Sequence, residues 1–119
     1  MNPYTAYFEN LGKAARSASM VGQVLSTDDK NRILEQIAYD LENAIPMILE
    51  ANTIDCSQAK ENGVPSVMMD RLRLTKERIE GICEGVRQVA HLHDPIGTVL
   101  ESRTLDNGLR IEKRQIPIG

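Results

Sequence analysis

The chain has 119 residues, of which 41% are hydrophobic and 26% charged, a composition typical of a folded chain of about one domain. Its net charge of −3 argues against a general nucleic-acid binder, which needs a positive surface to attract phosphates. No run approaches the roughly 18 apolar residues of a membrane-spanning helix, and the N terminus lacks the basic and apolar regions of a secretory signal. Two cysteines are too few for a disulfide framework, so we expect a cytoplasmic protein.

The N-terminal segment is predicted to form a helix from about Pro3 to Val24. Small and apolar side chains repeat there at steps of three and four residues, at Phe8, Leu11, Ala15, Ala18, Gly22 and Leu25. Because this stripe has little volume, it predicts close packing against another helix.

A second helix is predicted to start at Ser26-Thr27-Asp28-Asp29, where a hydroxyl cap precedes acidic residues in a loose capping box. Its apolar face continues through Ile33, Leu34, Ile37, Leu41 and Ile45. Pro46 lacks a backbone donor and clashes with the preceding turn, so the helix is predicted to kink or restart there. Gly63, followed by Val64-Pro65, predicts the end of the restarted helix.

Two shorter helices are predicted next. Residues 66–72 fit a short helix capped by Ser66, and Thr75 is predicted to cap a stronger one. The apolar face of the stronger helix holds Ile79, Ile82, Cys83, Val86, Val89 and Ala90. Gly81 and Gly85 lie one turn apart on it. Since each costs about 1 kcal/mol relative to Ala in a helix, they predict a close approach by a neighbouring element.

After Asp94-Pro95 the pattern changes from helix to strand. Residues 98–105 and 109–114 are predicted to form a hairpin, joined by a turn at Asp106-Asn107-Gly108. A lone two-stranded hairpin is marginally stable in water, and this one is charged on both faces. It is therefore predicted to be an arm that pairs with a strand from elsewhere. The apolar end, residues 116–119, is unusual for a chain terminus and favours a truncated chain.

The candidate reactive side chains are predicted to have structural roles. Cys56 follows Asp55, whose negative charge disfavours a thiolate, and Cys83 lies on an apolar helix face. His91 and His93, with Cys83 and Asp94 nearby in sequence, fit no zinc spacing. We expect the histidines to interact favourably with the negative end of a helix dipole.

The acidic residues also lack a catalytic pattern. Asp70 and Arg71 are predicted to cap or pair locally rather than contact a substrate, and Glu77, Glu80 and Glu84 are predicted to line a solvated helix face. The sequence has no G-x-G-x-x-G or P-loop motif and no signature of a Ser-His-Asp arrangement. The prediction is that this chain contains no catalytic, cofactor-binding or metal-binding residue.

Several short motifs nevertheless occur in the order and spacing of one family. They are Lys30-Asn31-Arg32, Ala51-Asn52 with Asp55, Met69-Asp70-Arg71-Leu72 with Leu74-Thr75, Arg78 with Gly81, Gln88-Val89, Asp94-Pro95-Ile96-Gly97, Gly108-Leu109 and Ile116-Pro117-Ile118-Gly119. From about Leu11 to its last residue, the chain resembles the N-terminal portion of gamma-glutamyl phosphate reductase. This family, also called glutamate-5-semialdehyde dehydrogenase, belongs to the aldehyde dehydrogenase superfamily.

The resemblance implies an enzyme that reduces gamma-glutamyl phosphate to glutamate 5-semialdehyde with NADPH in proline biosynthesis, through a cysteine thioester and hydride transfer. It implies an α/β aldehyde dehydrogenase-like fold. This segment is its mainly α part, with four to five helices followed by the hairpin. Residues 1–95 would form a helical layer of the cofactor-binding domain, and residues 96–119 the start of an oligomerisation arm, truncated before the first cofactor-domain strand. The catalytic cysteine and the nucleotide site would lie downstream, so Cys56 and Cys83 take no catalytic role.

The expected partner is the remainder of the reductase or a second protomer, contacted through residues 98–115. The segment alone is expected to be inactive, to bind no NADPH, and to contact neither nucleic acid nor membrane. An alternative is a freestanding helical interaction module that pairs through the edge of its hairpin. A small enzyme that uses its own cysteine or histidine is a third reading.

Overall fold

The computed structural model describes residue 2 and residues 4–118, over which the chain forms five α-helices and one two-stranded antiparallel sheet. In chain order the elements are α1 (Thr5–Gly22), α2 (Thr27–Asn43), α3 (Ile45–Glu61), α4 (Ser66–Leu72), α5 (Lys76–Ala90), β1 (Val99–Thr104) and β2 (Arg110–Arg114). The predicted mainly helical segment with a hairpin is confirmed. The chain divides into a helical unit, Asp28–Leu92, and a terminal unit, which holds the residues up to Thr27 and those from His93 onward.

Helix α1 has the predicted position but not the predicted packing. It begins at Thr5, and Pro3, the predicted start, lies outside the described residues. None of the described residues of α1 is buried, so the predicted close packing of its stripe is not observed within the described part of the chain.

Pro46 separates α2 from α3, as predicted. Helix α2 ends at Asn43, and α3 begins at Ile45 with Pro46 in its first turn, where a missing N–H costs no helical hydrogen bond. Gly63 has a φ of 72°, the left-handed conformation that commonly ends helices. The N–H groups of Gly63 and Val64 donate to the carbonyls of Lys60 and Ala59 at 3.1 and 3.0 Å, which closes the end of α3.

The two short helices begin differently. Helix α4 has the predicted bounds, but Ser66 is not its cap. Pro65 occupies that position, and its carbonyl accepts the N–H of Met69 at 3.0 Å. The Ser66 prediction is therefore wrong: Pro65 stands in extended backbone with a ψ of 149°, and Ser66 is already the first helical residue. The prediction for Thr75 is confirmed, since its hydroxyl accepts the N–H of Arg78 at 3.2 Å.

The core of the helical unit is small and aliphatic. It joins Ala38 of α2 to Ile79 and Cys83 of α5, surrounded by partly buried Leu41, Ile45, Ile48, Leu49, Leu74 and Val86. Ile82, on the predicted apolar face of α5, is 51% exposed.

Gly81 and Gly85 are not approached closely. A Cβ added at either position would meet no atom of the described residues within 4 Å, so the predicted close approach is wrong for this part of the chain. The reason is the helical period. Gly81 and Gly85 each lie two residues beyond a buried position, which turns them about 200° away from the packed face of α5.

The hairpin is confirmed with a bulge. Strands β1 and β2 pair in antiparallel register, with Ser102 opposite Glu112, and the register is irregular between Val99 and Glu101. Gly108 carries a φ of 84°, so this glycine alone supplies the left-handed conformation that the turn requires. No helix in the described part of the chain has the length and apolar character needed to cross a membrane.

Candidate functional site

The loop between α4 and α5 is held by Asn52 of α3, whose side chain is buried, with the residue 7% exposed. Its Nδ2 donates to the Leu72 carbonyl at 2.9 Å, and its Oδ1 accepts the N–H of Leu74 at 2.8 Å. One amide therefore satisfies a donor and an acceptor of the loop backbone at once. The Cys56 thiol, one turn further along α3, lies 3.7 Å from the same Oδ1.

Arg78 holds the same loop from α5. Its Nη1 donates to the carbonyls of Asp70 and Arg73 at 2.5 and 2.6 Å, and its Nη2 lies 3.2 and 3.3 Å from the two carboxylate oxygens of Asp70. The local pairing predicted for Asp70 is thus observed, although its partner is Arg78 rather than the neighbouring Arg71. Asn52 and Arg78 together fix the geometry of the loop by contacting its backbone from two helices.

A groove opens beside this loop within the helical unit. Its apolar floor includes Leu49, Met69 and Leu74, and three cations line it: Lys60, Arg73 and Lys76. Such a rim attracts anions. Every buried side-chain polar atom in the described part of the chain already has a hydrogen-bond partner, so the donors that face the groove are the exposed cations.

The cysteines and histidines do not assemble into a reactive cluster. Cys83 is buried in the core, and Cys56 is half-buried in α3. His91 forms the C-cap of α5, with Nδ1 2.7 Å from the Arg87 carbonyl, and His93 Nε2 lies 3.3 Å from the Thr98 hydroxyl. Over residues 2 and 4–118, no group of three or more His, Cys, Asp or Glu side chains is placed to hold a metal ion.

In the terminal unit, Asp94 organises the segment that leads into the hairpin. Its Oδ2 accepts the Thr27 hydroxyl at 2.8 Å, and its Oδ1 accepts the N–H of Ile96 at 3.0 Å. Gly97 then turns with a φ of 82° and donates its N–H to the Gln115 carbonyl at 2.9 Å. The Asp94-Pro95-Ile96-Gly97 motif therefore sets where the hairpin starts.

An ion pair links α2 to α5. Arg87 donates through Nη1 and Nη2 to the two carboxylate oxygens of Glu42 at 2.6 and 2.8 Å, and its Nε lies 3.5 Å from Glu35. The hydrogen bonds from Arg87 hold the pKa of Glu42 below its ordinary value of 4.5, although partial burial opposes this. The same hydrogen bonds raise the pKa of Arg87.

Because the folded-state pKa of Glu42 is lowered, its contribution to stability is present above the unfolded-state pKa and lost as the pH falls through the folded-state pKa. We expect Glu42→Gln to lower the urea midpoint of unfolding at neutral pH. At acidic pH the midpoints of the variant and the unmodified chain should converge. Glu50→Gln, which changes an exposed carboxylate of α3, is the matched control and should show no such convergence. If the urea midpoint of Glu42→Gln stayed equally far below that of the unmodified chain at acidic pH, the ion-pair assignment would be contradicted.

The relatives found by sequence and by structure are the same enzyme. No protein-family model matches the chain. The gamma-glutamyl phosphate reductases of Salmonella arizonae and Salmonella agona are 49% and 47% identical to it over 111 residues, which is 93% of this chain and 27% of each relative. The solved structure of gamma-glutamyl phosphate reductase from Thermotoga maritima aligns with 89% of this chain at a TM-score of 0.87 and 38% identity. The enzyme from Saccharomyces cerevisiae aligns with 87% at a TM-score of 0.81 and 36% identity.

The chain is homologous to the N-terminal portion of gamma-glutamyl phosphate reductase. It spans 27% of the length of these curated relatives and 26% of the two solved chains. The resemblance seen in the sequence is thereby confirmed for the segment. The Gly119 that ends its last motif lies outside the described residues.

The structure explains several residues that carry the resemblance to gamma-glutamyl phosphate reductase. Asn52, Asp70, Thr75 and Arg78 all fix the α4–α5 loop or the start of α5. The anchoring role of Asn52 was not among the predictions from the sequence, although the sequence contains a signal that this side chain faces inward. Asn52 stands at helical spacing from Leu49 and Cys56, so it is a polar residue at an inward-facing position.

Proposed function

We propose that this chain is the N-terminal segment of an NADPH-dependent reductase that converts gamma-glutamyl phosphate to glutamate 5-semialdehyde in the cytoplasmic biosynthesis of proline. The observation that carries the proposal is the match to gamma-glutamyl phosphate reductases over 93% of this chain, at 47–49% identity. The chain corresponds to only 27% of those enzymes, so the proposed activity belongs to the longer protein.

The small core supports a role as part of a larger body. In the described part of the chain, the buried hydrophobic residues are Ala38, Ile79, Cys83 and Ala90. Many large apolar side chains are exposed instead, among them Phe8 at 63% and Met47 at 68%. Exposed apolar surface on this scale is typical of a segment that contacts other protein. In the proposed domain arrangement, residues 1–95 form a helical layer against the cofactor-binding domain, and residues 96–119 begin an arm that contacts the remainder of the reductase or a second protomer.

The residues present do not fit NADPH. The groove beside the α4–α5 loop has no glycine-rich strand-to-helix turn, and no buried side-chain donor in the described residues is left for a phosphate. NADPH supplies a hydride when it is bound in the whole enzyme. No step of that transfer is assigned to Cys56, Cys83 or any other residue of this segment.

The proposal is tested by comparing the 119-residue chain with the protein as its source produces it. In the forward reaction one gamma-glutamyl phosphate, one NADPH and one proton give one glutamate 5-semialdehyde, one NADP⁺ and one phosphate. We expect the source protein to oxidise NADPH and release phosphate in equal amounts, and the 119-residue chain to do neither.

Two outcomes would contradict this proposal. One is a source protein without the reductase activity, which would favour the interaction-module alternative. The other is reductase activity in the 119-residue chain that Cys56→Ser or Cys83→Ser abolishes, which would show that the chain contains its own nucleophile. A fluorescence titration of the chain with NADPH completes the test, and we expect no binding at micromolar cofactor.

A further inference from the structure

The groove beside the α4–α5 loop carries positive charge without an opposing acid. Lys60, Arg73 and Lys76 line it, and none of its lining residues is acidic. The whole chain, by contrast, has 17 acidic and 14 basic residues. Cations gathered on a concave surface raise the local concentration of anions, so the charge of this groove favours an anionic ligand.

Two of these three cations are available to such a ligand. Among the described residues, neither Lys60 nor Arg73 forms an ion pair. Lys76 lies 3.5 Å from Glu80, one turn further along α5. An anion in the groove would therefore meet Lys60 and Arg73 without first breaking an ion pair.

The hydroxyl groups that line the groove are already engaged in the structure of the chain itself. The hydroxyls of Thr53 and Ser57 donate to the carbonyls of Leu49 and Thr53 at 2.8 and 3.0 Å. The hydroxyl of Thr75 accepts the N–H of Arg78 at 3.2 Å. The side chains best placed to donate to a ligand are therefore the cations, which select an anion over a neutral polar molecule.

The start of α5 favours a carboxylate over a phosphate. Phosphates are commonly bound by the N–H groups at a helix N terminus. The first turn of α5 holds Glu77, whose pKa is lowered by hydrogen bonds from its own backbone N–H and from the Thr75 hydroxyl. Its negative charge repels a phosphate dianion more strongly than a carboxylate. Arg73 offers a planar guanidinium, which matches the two oxygens of a carboxylate.

The groove also has room and apolar surface for an organic body. Its volume of about 600 Å³ lies within the range of small-molecule sites. Its floor is apolar and includes Leu49, Met69 and Leu74. Asn52 and Arg78 hold the backbone of the loop at Leu74 and Arg73, so this wall is fixed before a ligand arrives.

We propose that this groove binds a small organic acid, with its carboxylate on Arg73 and Lys60 and its apolar part on the floor formed by Leu49, Met69 and Leu74. The site goes beyond the proposed reductase function, because it uses no residue of that reaction and holds neither the cofactor nor the catalytic cysteine.

Cys56 provides a local readout, because it lines the groove while Cys83 is buried in the core. The source protein is treated with iodoacetamide, and alkylation of Cys56 is followed by mass spectrometry of its peptide. The probe is 3-phenylpropionate, which joins a carboxylate to an apolar body. With a Kd of about 1 mM, about 10 mM of the probe should slow the alkylation of Cys56 about tenfold.

Three further compounds separate the parts of the ligand. The alcohol 3-phenylpropanol has the same apolar body without the charge, acetate has the charge without the body, and inorganic phosphate is the competing anion. At about 10 mM, each should slow alkylation less than about twofold, because each lacks one of the two contacts or the favoured anion.

Arg73→Gln removes the guanidinium but keeps the backbone contacts of residue 73, and it should leave less than about twofold protection by 3-phenylpropionate. Lys60→Gln is the second variant and should weaken the protection in the same way. Arg71→Gln is the matched control, since exposed Arg71 does not line the groove, and it should keep the full protection. Far-UV circular dichroism checks that each variant keeps its helices.

Several results would overturn the proposal. They are a Cys56 that reacts only after unfolding, which would show that the groove is covered in the whole protein, an unmodified protein that 3-phenylpropionate does not protect, equal protection by the alcohol or by inorganic phosphate, and full protection in both Arg73→Gln and Lys60→Gln. Alkylation does not depend on turnover. A failed protection therefore leaves the reductase proposal standing, and a source protein without reductase activity leaves the organic-acid site standing.

Discussion

Replacing Ile79 by alanine is expected to lower the free energy of unfolding of the chain by about 3 kcal/mol, since it empties the centre of the core. Ile79 is 2% exposed and packs with Ala38 and Cys83, which are fully buried. Both of these neighbours are small, so little side-chain volume is available to fill the space that Ile79→Ala leaves. The measurement is urea unfolding followed by far-UV circular dichroism.

Ile82→Ala is the matched control for Ile79→Ala. It removes the same atoms from the same helix, but Ile82 is 51% exposed, so its loss should cost well under half as much. Equal effects of the two substitutions would show that α5 does not pack through the Ile79 face.

Replacing Asn52 by alanine is expected to cost about 2–3 kcal/mol, because it leaves the Leu72 carbonyl and the Leu74 N–H without their partner. The cost reflects unsatisfied backbone groups rather than lost volume. Asn52→Asp separates the two bonds, since a carboxylate still accepts the Leu74 N–H but cannot donate to the Leu72 carbonyl. It should therefore be destabilising at neutral pH, where it sets a negative charge beside a carbonyl oxygen.

Thr53→Ala is the control for Asn52, since the hydroxyl of the exposed Thr53 donates to the Leu49 carbonyl of its own helix, at 2.8 Å. Its effect should stay within about 0.5 kcal/mol. Hydrogen exchange gives a second measure, because Asn52→Ala should increase exchange at the Leu74 N–H more than in the middle of α5. Unchanged protection at Leu74 would contradict the loop-anchoring role of Asn52.

The elements of this fold were predictable where a local signal specifies them. Pro46 and Gly63 mark helix boundaries through backbone chemistry that needs no tertiary partner, and the Thr75 cap and the Gly108 turn depend on neighbours within a few residues. The prediction that Ser66 caps α4 was wrong because two adjacent residues, Pro65 and Ser66, can both start a helix. The fixed φ of Pro65 decides that Pro65 takes the cap position.

The contacts that join distant parts of the sequence were not predictable in the same way. Glu42 and Arg87 are 45 residues apart, and the sequence indicates only that each is a charged residue on a helix surface. Gly81 and Gly85 show the opposite case, a contact that was predicted and is not observed. A small residue in a helix permits close approach without requiring it. The resemblance to gamma-glutamyl phosphate reductase followed from the ordered motifs as a set, while the contacts made by Asn52 and Arg78 required the packed structure.

The intact mass of the protein as its natural source produces it tests the central proposal most directly. If this chain is one segment of a gamma-glutamyl phosphate reductase, a product containing this sequence should have a mass several times 13.3 kDa. A source protein with a mass near 13.3 kDa would contradict that assignment. It would favour a freestanding module whose function lies in the edge of its hairpin and the exposed helical faces.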